Sequence, residues 1–213
     1  FEGQKPSIQT VVIVKAEDDT MMDAFKTGEI NFLSQLGEGD KINAALDLVD
    51  AGGFNYCHYT RNGYGKLMFQ CDFGPTQFAA VRQAIAYLLD REEFANTFCG
   101  GYGSVVHGPY STAQWMYQDS EELFNEKLNA YAYDPAKAVE VLEADGWTLD
   151  AEGNEYSGTG LRYKEVTAEE AGDYALNVTL ADGRILMPLH IMWSSSEGNS
   201  VSALLATMLA NGK

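Results

Sequence analysis

The chain has 213 residues, enough for one large domain or two small ones, and 46% of them are hydrophobic, so a sizeable core can form. Its formal net charge of −17 argues against nucleic acid, whose phosphates need clustered Lys and Arg. The same charge reads as a solvated acidic surface, and the longest apolar stretches fall far short of a membrane span.

In chain order, the first element is Ile8 to Val14, a β-rich run whose pattern predicts a strand buried on both faces. Thr20-Met21-Met22-Asp23 starts a two-turn helix and Gly28 stops it. Ile30 to Leu33 reads as a short strand. Asp40 is expected to cap a helix to about Val49, which Gly52-Gly53 ends. Phe54 to Thr60 and Tyr64 to Gln70 are strand-like, and Arg61-Asn62-Gly63 between them carries an Asn-Gly turn signal. A hairpin there would bring Cys57 near Cys71. A bridge between them is one reading; the other is that Cys57, Cys71 and Cys99 are small buried apolar residues, an odd count being a poor disulfide framework.

Val81, Ala84, Ile85 and Leu88 fall at helical spacing and make one apolar face. Asp90, with Glu93 three residues on, is a capping box that starts a second helix after a break at Leu89–Asp90. Gly100-Gly101-Tyr102-Gly103 is a turn. It lacks the Lys-Ser/Thr of a phosphate loop and the strand-to-helix setting of a dinucleotide site. His107 through Tyr117 is an aromatic loop, and Ser120 to Asn129 an acidic surface helix. Asp134 is an N-cap with Pro135 at the first helical position, where its missing N–H costs nothing. Ala138, Val139 and Leu142 are expected to face a core, with Gly146 as a left-handed cap and Trp147 packed beneath it.

Leu149 to Asp173 has weak periodicity and many turn-forming residues, so residues 149–173 read as a surface excursion. Tyr174 to Leu180 and Ile185 to Trp193 are strands around the turn Ala181-Asp182-Gly183-Arg184, with Pro188 placing the second on an edge or at a bulge. Asn199 or Ser200 caps a last helix carrying Val201, Leu204, Leu205, Met208 and Leu209.

No residue set suits catalysis. His58, His107 and His190 are scattered, and no nucleophile–base–orienter combination or metal-ligand spacing exists. Adjacent acids such as Glu92-Glu93 and Glu169-Glu170 do not face each other on a helix and read as solvated surface. Asn177-Val178-Thr179 fits the glycosylation triplet but lies in an expected strand.

Two runs carry a resemblance: VRQAIAYLLDREEF, Val81 to Phe94, and AYDPAKAVEVLEADGW, Ala132 to Trp147. In wording, order and spacing they resemble the second lobe of the family 5 solute-binding proteins that serve peptide-type ABC importers. Lys26-Thr27-Gly28-Glu29-Ile30-Asn31 matches a further phrase of that family, while Gln70 stands where the family has Asn. The resemblance implies an α/β fold, a mixed central sheet flanked by helices, as one lobe of a two-lobe periplasmic-binding-protein (type II-like) architecture. Residues 1–213 would be a partial second lobe, since both ends look cut.

The function implied is a substrate-binding component, not an enzyme, that captures a peptide or similar small solute and delivers it to the permease by lobe closure. The ligand could equally be a dipeptide, a nickel or haem carrier or an oligosaccharide. The partners implied are that solute, the ABC permease subunits in the membrane and the first lobe of the same chain; no cofactor and no nucleic acid are expected. The location implied is extracytoplasmic, in the periplasm or at the cell surface as a lipoprotein. The loop Trp193 to Asn199 lies where a strand end feeds a helix start, a setting in which α/β folds place ligands. Trp193, Ser195, Ser196 and Asn199 are therefore the candidate ligand-binding residues, against the alternative that the loop is only a Ser-rich helix cap. Two other functional readings stay open: a hydrolase on an α/β sheet, and a solute receptor used in signalling rather than uptake.

Overall fold

The computed structural model describes all residues except 1, 2, 4, 6, 18, 196–198, 212 and 213, and for residue 211 the backbone only. The chain divides into two compact units, residues 1–56 and 57–213.

In the first unit, α1 spans Met21–Lys26 and α2 spans Gly39–Ala51. The stop signals act as expected: Gly28 has φ 77° and Gly52, the C-cap of α2, has φ 89°, conformations that cost glycine least. The N-cap of α2 is Glu38, two residues before the expected Asp40, which sits in the first turn instead. There its charge complements the helix N-terminus without bonding it. Phe25 and Phe54 pack ring to ring at 4.9 Å.

The second unit holds the core. It contains α3 (Ala79–Leu88), α4 (Arg91–Cys99), α5 (Trp115–Gln118), α6 (Glu121–Lys127), α7 (Pro135–Ala144), β1 (Tyr163–Val166), α8 (Ala168–Ala171), β2 (Val178–Thr179), β3 (Ile185–Pro188) and α9 (Ser200–Asn211). The strands form one antiparallel sheet in the order β1-β3-β2. Tyr163 pairs with Pro188 and Val166 with Ile185, while Val178 pairs with Leu186.

Local signals set the helix ends. Asp90 accepts a hydrogen bond from the Glu93 N–H at 2.9 Å, and Asp134 accepts from the Lys137 N–H at 3.0 Å. Gly146, at φ 90°, lets the chain turn so that the Trp147 N–H reaches the Leu142 carbonyl at 3.0 Å. That turn drives Trp147 under α7, where it is fully buried with its ring edge-on to Phe78 at a centroid distance of 5.7 Å. Val81 and Ala84 of α3, Ala138 and Leu142 of α7, Val166 of β1 and Met187 of β3 close the same cluster. Beside it, the Asp145 carboxylate accepts from the Trp147 indole N–H at 3.2 Å and from Lys164 Nζ at 2.8 Å. The Lys164 ammonium also lies over the Phe78 ring, 4.3 Å from its centroid.

Several expectations need correction. Ile8–Val14, Ile30–Leu33, Phe54–Thr60 and Tyr64–Gln70 belong to no ladder; they are exposed or half-exposed, without strand partners among the described residues. Asn62 makes only a bend. None of Arg61, Asn62 and Gly63 adopts the positive φ that a tight hairpin turn requires, so the two runs do not fold onto each other. Cys57 and Cys71 are accordingly free and exposed, and Cys99 is free and half-buried. The strand expected over Tyr174–Leu180 shrinks to Val178–Thr179, and that over Ile185–Trp193 ends at Pro188. Pro188 is on the middle strand of the sheet rather than an edge, and it is tolerated because it is the last residue of that strand. Val139 points outward from α7, 40% exposed, because Ala138 and Leu142 already define the buried face.

Residues 149–173 are only partly a surface excursion. Residues 149–160 make turns, but the rest supplies β1 and α8, with Val166 and Ala171 buried. A reciprocal capping box starts α8: Thr167 Oγ1 accepts from the Glu170 N–H at 3.2 Å, and the Glu170 carboxylate accepts from the Thr167 N–H at 2.8 Å. The Asp182-Gly183 turn forms as expected, with Gly183 at φ 93° and the Leu180 N–H donating to the Arg184 carbonyl at 2.9 Å.

Candidate functional site

The loop after β3 leaves the sheet under control. The Leu189 N–H donates to the Arg162 carbonyl at 2.7 Å, and the Tyr174 hydroxyl donates to the His190 carbonyl at 2.9 Å. Burial raises the Tyr174 phenol above its ordinary pKa, so it stays protonated and able to donate. Beyond this anchor the chain moves into solvent, with Met192 71% and Trp193 42% exposed and Ser194 and Ser195 open. Ser196 lies outside the described residues.

Asn199 then caps α9. Its Oδ1 accepts from the Ser202 N–H at 2.9 Å, and its carbonyl accepts from the Ala203 N–H at 3.1 Å. The cap occupies the Asn199 carboxamide oxygen but leaves its NH₂ group as a donor. α9 itself packs against α4, with Leu205 buried. The structure thus gives Trp193, Ser195 and Asn199 one shared setting, an exposed polar stretch between a sheet strand and a helix N-terminus. What it offers chemically is hydroxyls, an amide, an indole face and the positive end of a twelve-residue helix.

A concavity lies apart from this exposed loop. A groove of about 310 Å³ lies along α3 and is lined by Phe69, Ala79, Arg82, Gln83, Ala86 and Tyr131. Arg82 Nη1 donates to the Thr76 and Gln77 carbonyls, each at 2.7 Å, which clamps the turn before α3. Tyr131 holds an unusual φ of 46°, supported by its N–H on Asn129 Oδ1 at 3.0 Å and by edge-on packing against Tyr87. The signal for this groove was Arg82, the one cation on α3; its lining joins Phe69 and Tyr131 from separate stretches of chain, which no local pattern reveals.

Elsewhere the polar chemistry is structural. Backbone and side-chain hydrogen bonds from Asn154 hold the exposed Asp150 carboxyl below its usual pKa, and the Arg184 N–H and guanidinium do the same for Asp182. Asn177 donates its amide to the Ala171 carbonyl at 2.8 Å, so the glycosylation triplet is spent on packing. Among the described residues no cluster of three or more His, Cys, Asp or Glu could hold a metal, and no helix is long and apolar enough to cross a membrane.

Comparison with known proteins agrees with the signature of α3 and α7. The profile of bacterial extracellular solute-binding proteins, family 5 Middle, matches residues 1–182. The chain belongs to that family. Among similar curated proteins is the nickel-binding periplasmic protein of Escherichia coli, 27% identical over 71% of this chain and 28% of that protein. The oligopeptide-binding protein AppA of Bacillus subtilis is 26% identical over 75% of this chain and 29% of its own length. Heme-binding protein A of Haemophilus influenzae is 21% identical over 69% of this chain and 25% of its own length. The chain therefore spans little more than a quarter of the length of these relatives. No solved structure matches significantly. These relatives are binding proteins, not enzymes, and the hydrolase reading is set aside.

Proposed function

We propose that this chain is part of the second lobe of the solute-capturing component of an ABC importer, working outside the cytoplasmic membrane. In this reading a small solute is held between two lobes, closure shields it from water, and the closed form delivers it to permease subunits. The observation that carries the reading is the family match over residues 1–182 together with three relatives that are all binding proteins. Those relatives bind nickel, heme and oligopeptides, so the family scaffold serves more than one solute. A peptide or similar small solute suits the loop after β3, whose hydroxyls and free amide can meet peptide groups. Attachment to the cell surface as a lipoprotein, or release into the periplasm, belongs to the same proposal.

The ligand-facing residues proposed are Trp193, Ser195, Ser196 and Asn199. The test uses the full-length protein. Mass spectrometry identifies any co-purified solute, and calorimetry then measures the dissociation constant for that solute, or for a mixed peptide set, nickel and haem. Trp193→Ala, Ser195→Ala, Ser196→Ala and Asn199→Ala are each measured for affinity and melting temperature. Weaker binding with little change in melting supports the site. Wild-type affinity in all four variants would reduce the loop to a helix cap.

A further inference from the structure

Among the described residues, the loop after β3 is held at its two ends and nowhere between them. At the far end stands the Asn199 cap. Along Ile191, Met192, Trp193, Ser194 and Ser195 no hydrogen bond or ring contact forms among the described residues. At the near end the chain makes a tight three-residue turn, the His190 N–H donating to the Pro188 carbonyl at 2.8 Å. The His190 carbonyl then accepts from the Tyr174 hydroxyl at 2.9 Å. It is the last group held there before the chain enters solvent.

The side chain that carries this hydroxyl is itself fixed. Tyr174 is 6% exposed, and its ring belongs to the cluster that buries Trp147 and Met187. Phe73 packs edge-on to the ring, with 5.6 Å between centroids. Gly74 lies against the same ring at φ 66°, and a Cβ there would stand 3.3 Å from it, so glycine permits the approach. Backbone bonds tie the main chain of Tyr174 to the Ala171 carbonyl at 3.2 Å and to the Asn177 N–H at 3.1 Å. A phenylalanine ring would fill the same space, so packing does not account for the hydroxyl. A hydroxyl on a buried ring needs a partner, and the one it has is the root of the loop.

We infer that Tyr174 is a positioning residue for the candidate ligand loop: its hydroxyl, through the His190 carbonyl, fixes where Trp193 and Ser195 stand. The inference rests on the function proposed above, in which that loop meets the solute. A loop aimed in advance loses less freedom when a ligand arrives, so the bond raises affinity without touching the ligand.

The test compares Tyr174→Phe with wild type in the full-length protein, since phenylalanine keeps the ring and removes only the hydroxyl. Chymotrypsin cleavage after Trp193 is followed by mass spectrometry without added solute. Calorimetry measures the dissociation constant with a mixed tripeptide set, nickel and haem as probes, and melting is recorded alongside. Cleavage after Trp193 should run at least about 3-fold faster in the variant, with other sites unchanged. The dissociation constant of whichever probe binds should rise about 3–10-fold, and the melting temperature should move by less than about 3 °C. Unchanged cleavage, or unchanged affinity for a probe that wild type binds, overturns the inference. Faster cleavage at every site with a large fall in melting temperature overturns it too and leaves Tyr174 a core residue only. Wild type that binds none of the probes removes the proposed function, and the cleavage rate alone then decides whether Tyr174 sets the loop.

Discussion

Val81 and Ile13 are both branched aliphatic side chains, yet Val81 is 1% exposed and Ile13 93%. The difference lies in where their partners sit along the chain. Val81 is on a helix, which satisfies its own backbone and needs only a face to pack on. α7, the Trp147 turn and the β1-β3 pair supply that face from within about a hundred residues. Ile13 is in a segment outside every helix and strand, and no backbone hydrogen bond among the described residues reaches it. A helix thus needs only a face to pack on, whereas a strand also needs neighbours for its backbone.

That contrast can be broken most forcefully at the core. Trp147→Ala in the full-length protein should cost about 3–5 kcal/mol, since it empties a fully enclosed site between α3, α7 and the sheet. Denaturant unfolding measures it. A loss under about 1 kcal/mol would mean that this cluster does not carry the unit's stability.

Asp145→Ala should cost less, about 1–3 kcal/mol, by leaving the buried indole N–H of Trp147 without its acceptor and removing the carboxylate from Lys164, whose Nζ keeps the Asp145 backbone carbonyl. If Asp145→Asn restores most of the loss, hydrogen bonding to the indole dominates; if it does not, the charge of Lys164 does. At the helix start, Asp134→Ala should cost about 1 kcal/mol through the lost bond to the Lys137 N–H, and equilibrium unfolding checks it.

The smallest effect is a pH dependence at α8. The Thr167 N–H and hydroxyl hold the Glu170 carboxyl below its ordinary pKa. A depressed folded-state pKa means that the stabilisation is fully present above the unfolded value, about 4.3, and fades as pH falls through the folded value. Melting temperature should therefore fall with acidification below about pH 4.3 less steeply in Glu170→Gln than in wild type. Identical slopes would show that the capping box contributes nothing in the intact protein.

Signals confined to a few residues could be read without the structure. Asp90, Asp134 and Asn199 cap helices, Pro135 opens α7, Gly146 turns the chain so that Trp147 is buried, and Asp182-Gly183 closes a hairpin. The Thr167–Glu170 box was equally visible as Thr-x-x-Glu, but weak periodicity around it hid the start of α8. Of the candidate site, the position of the loop after β3 and the capping role of Asn199 were legible. The groove beside Arg82 was not, because Phe69 and Tyr131 reach it from separate stretches of chain.

By itself the sequence determined most of the helices, the caps at Asp90, Asp134 and Asn199, the turn before β3 and the family, because each depends on bonds or wording within one short segment. Tertiary structure alone decided which β-rich runs became strands. Ile185–Pro188 found β1 and β2 and became the middle of a sheet, while Ile8–Val14, Phe54–Thr60 and Tyr64–Gln70 found no partner among the described residues. The physical reason is that a strand's hydrogen bonds all leave the strand. Its propensity can be read locally, but its pairing depends on chain that lies far away.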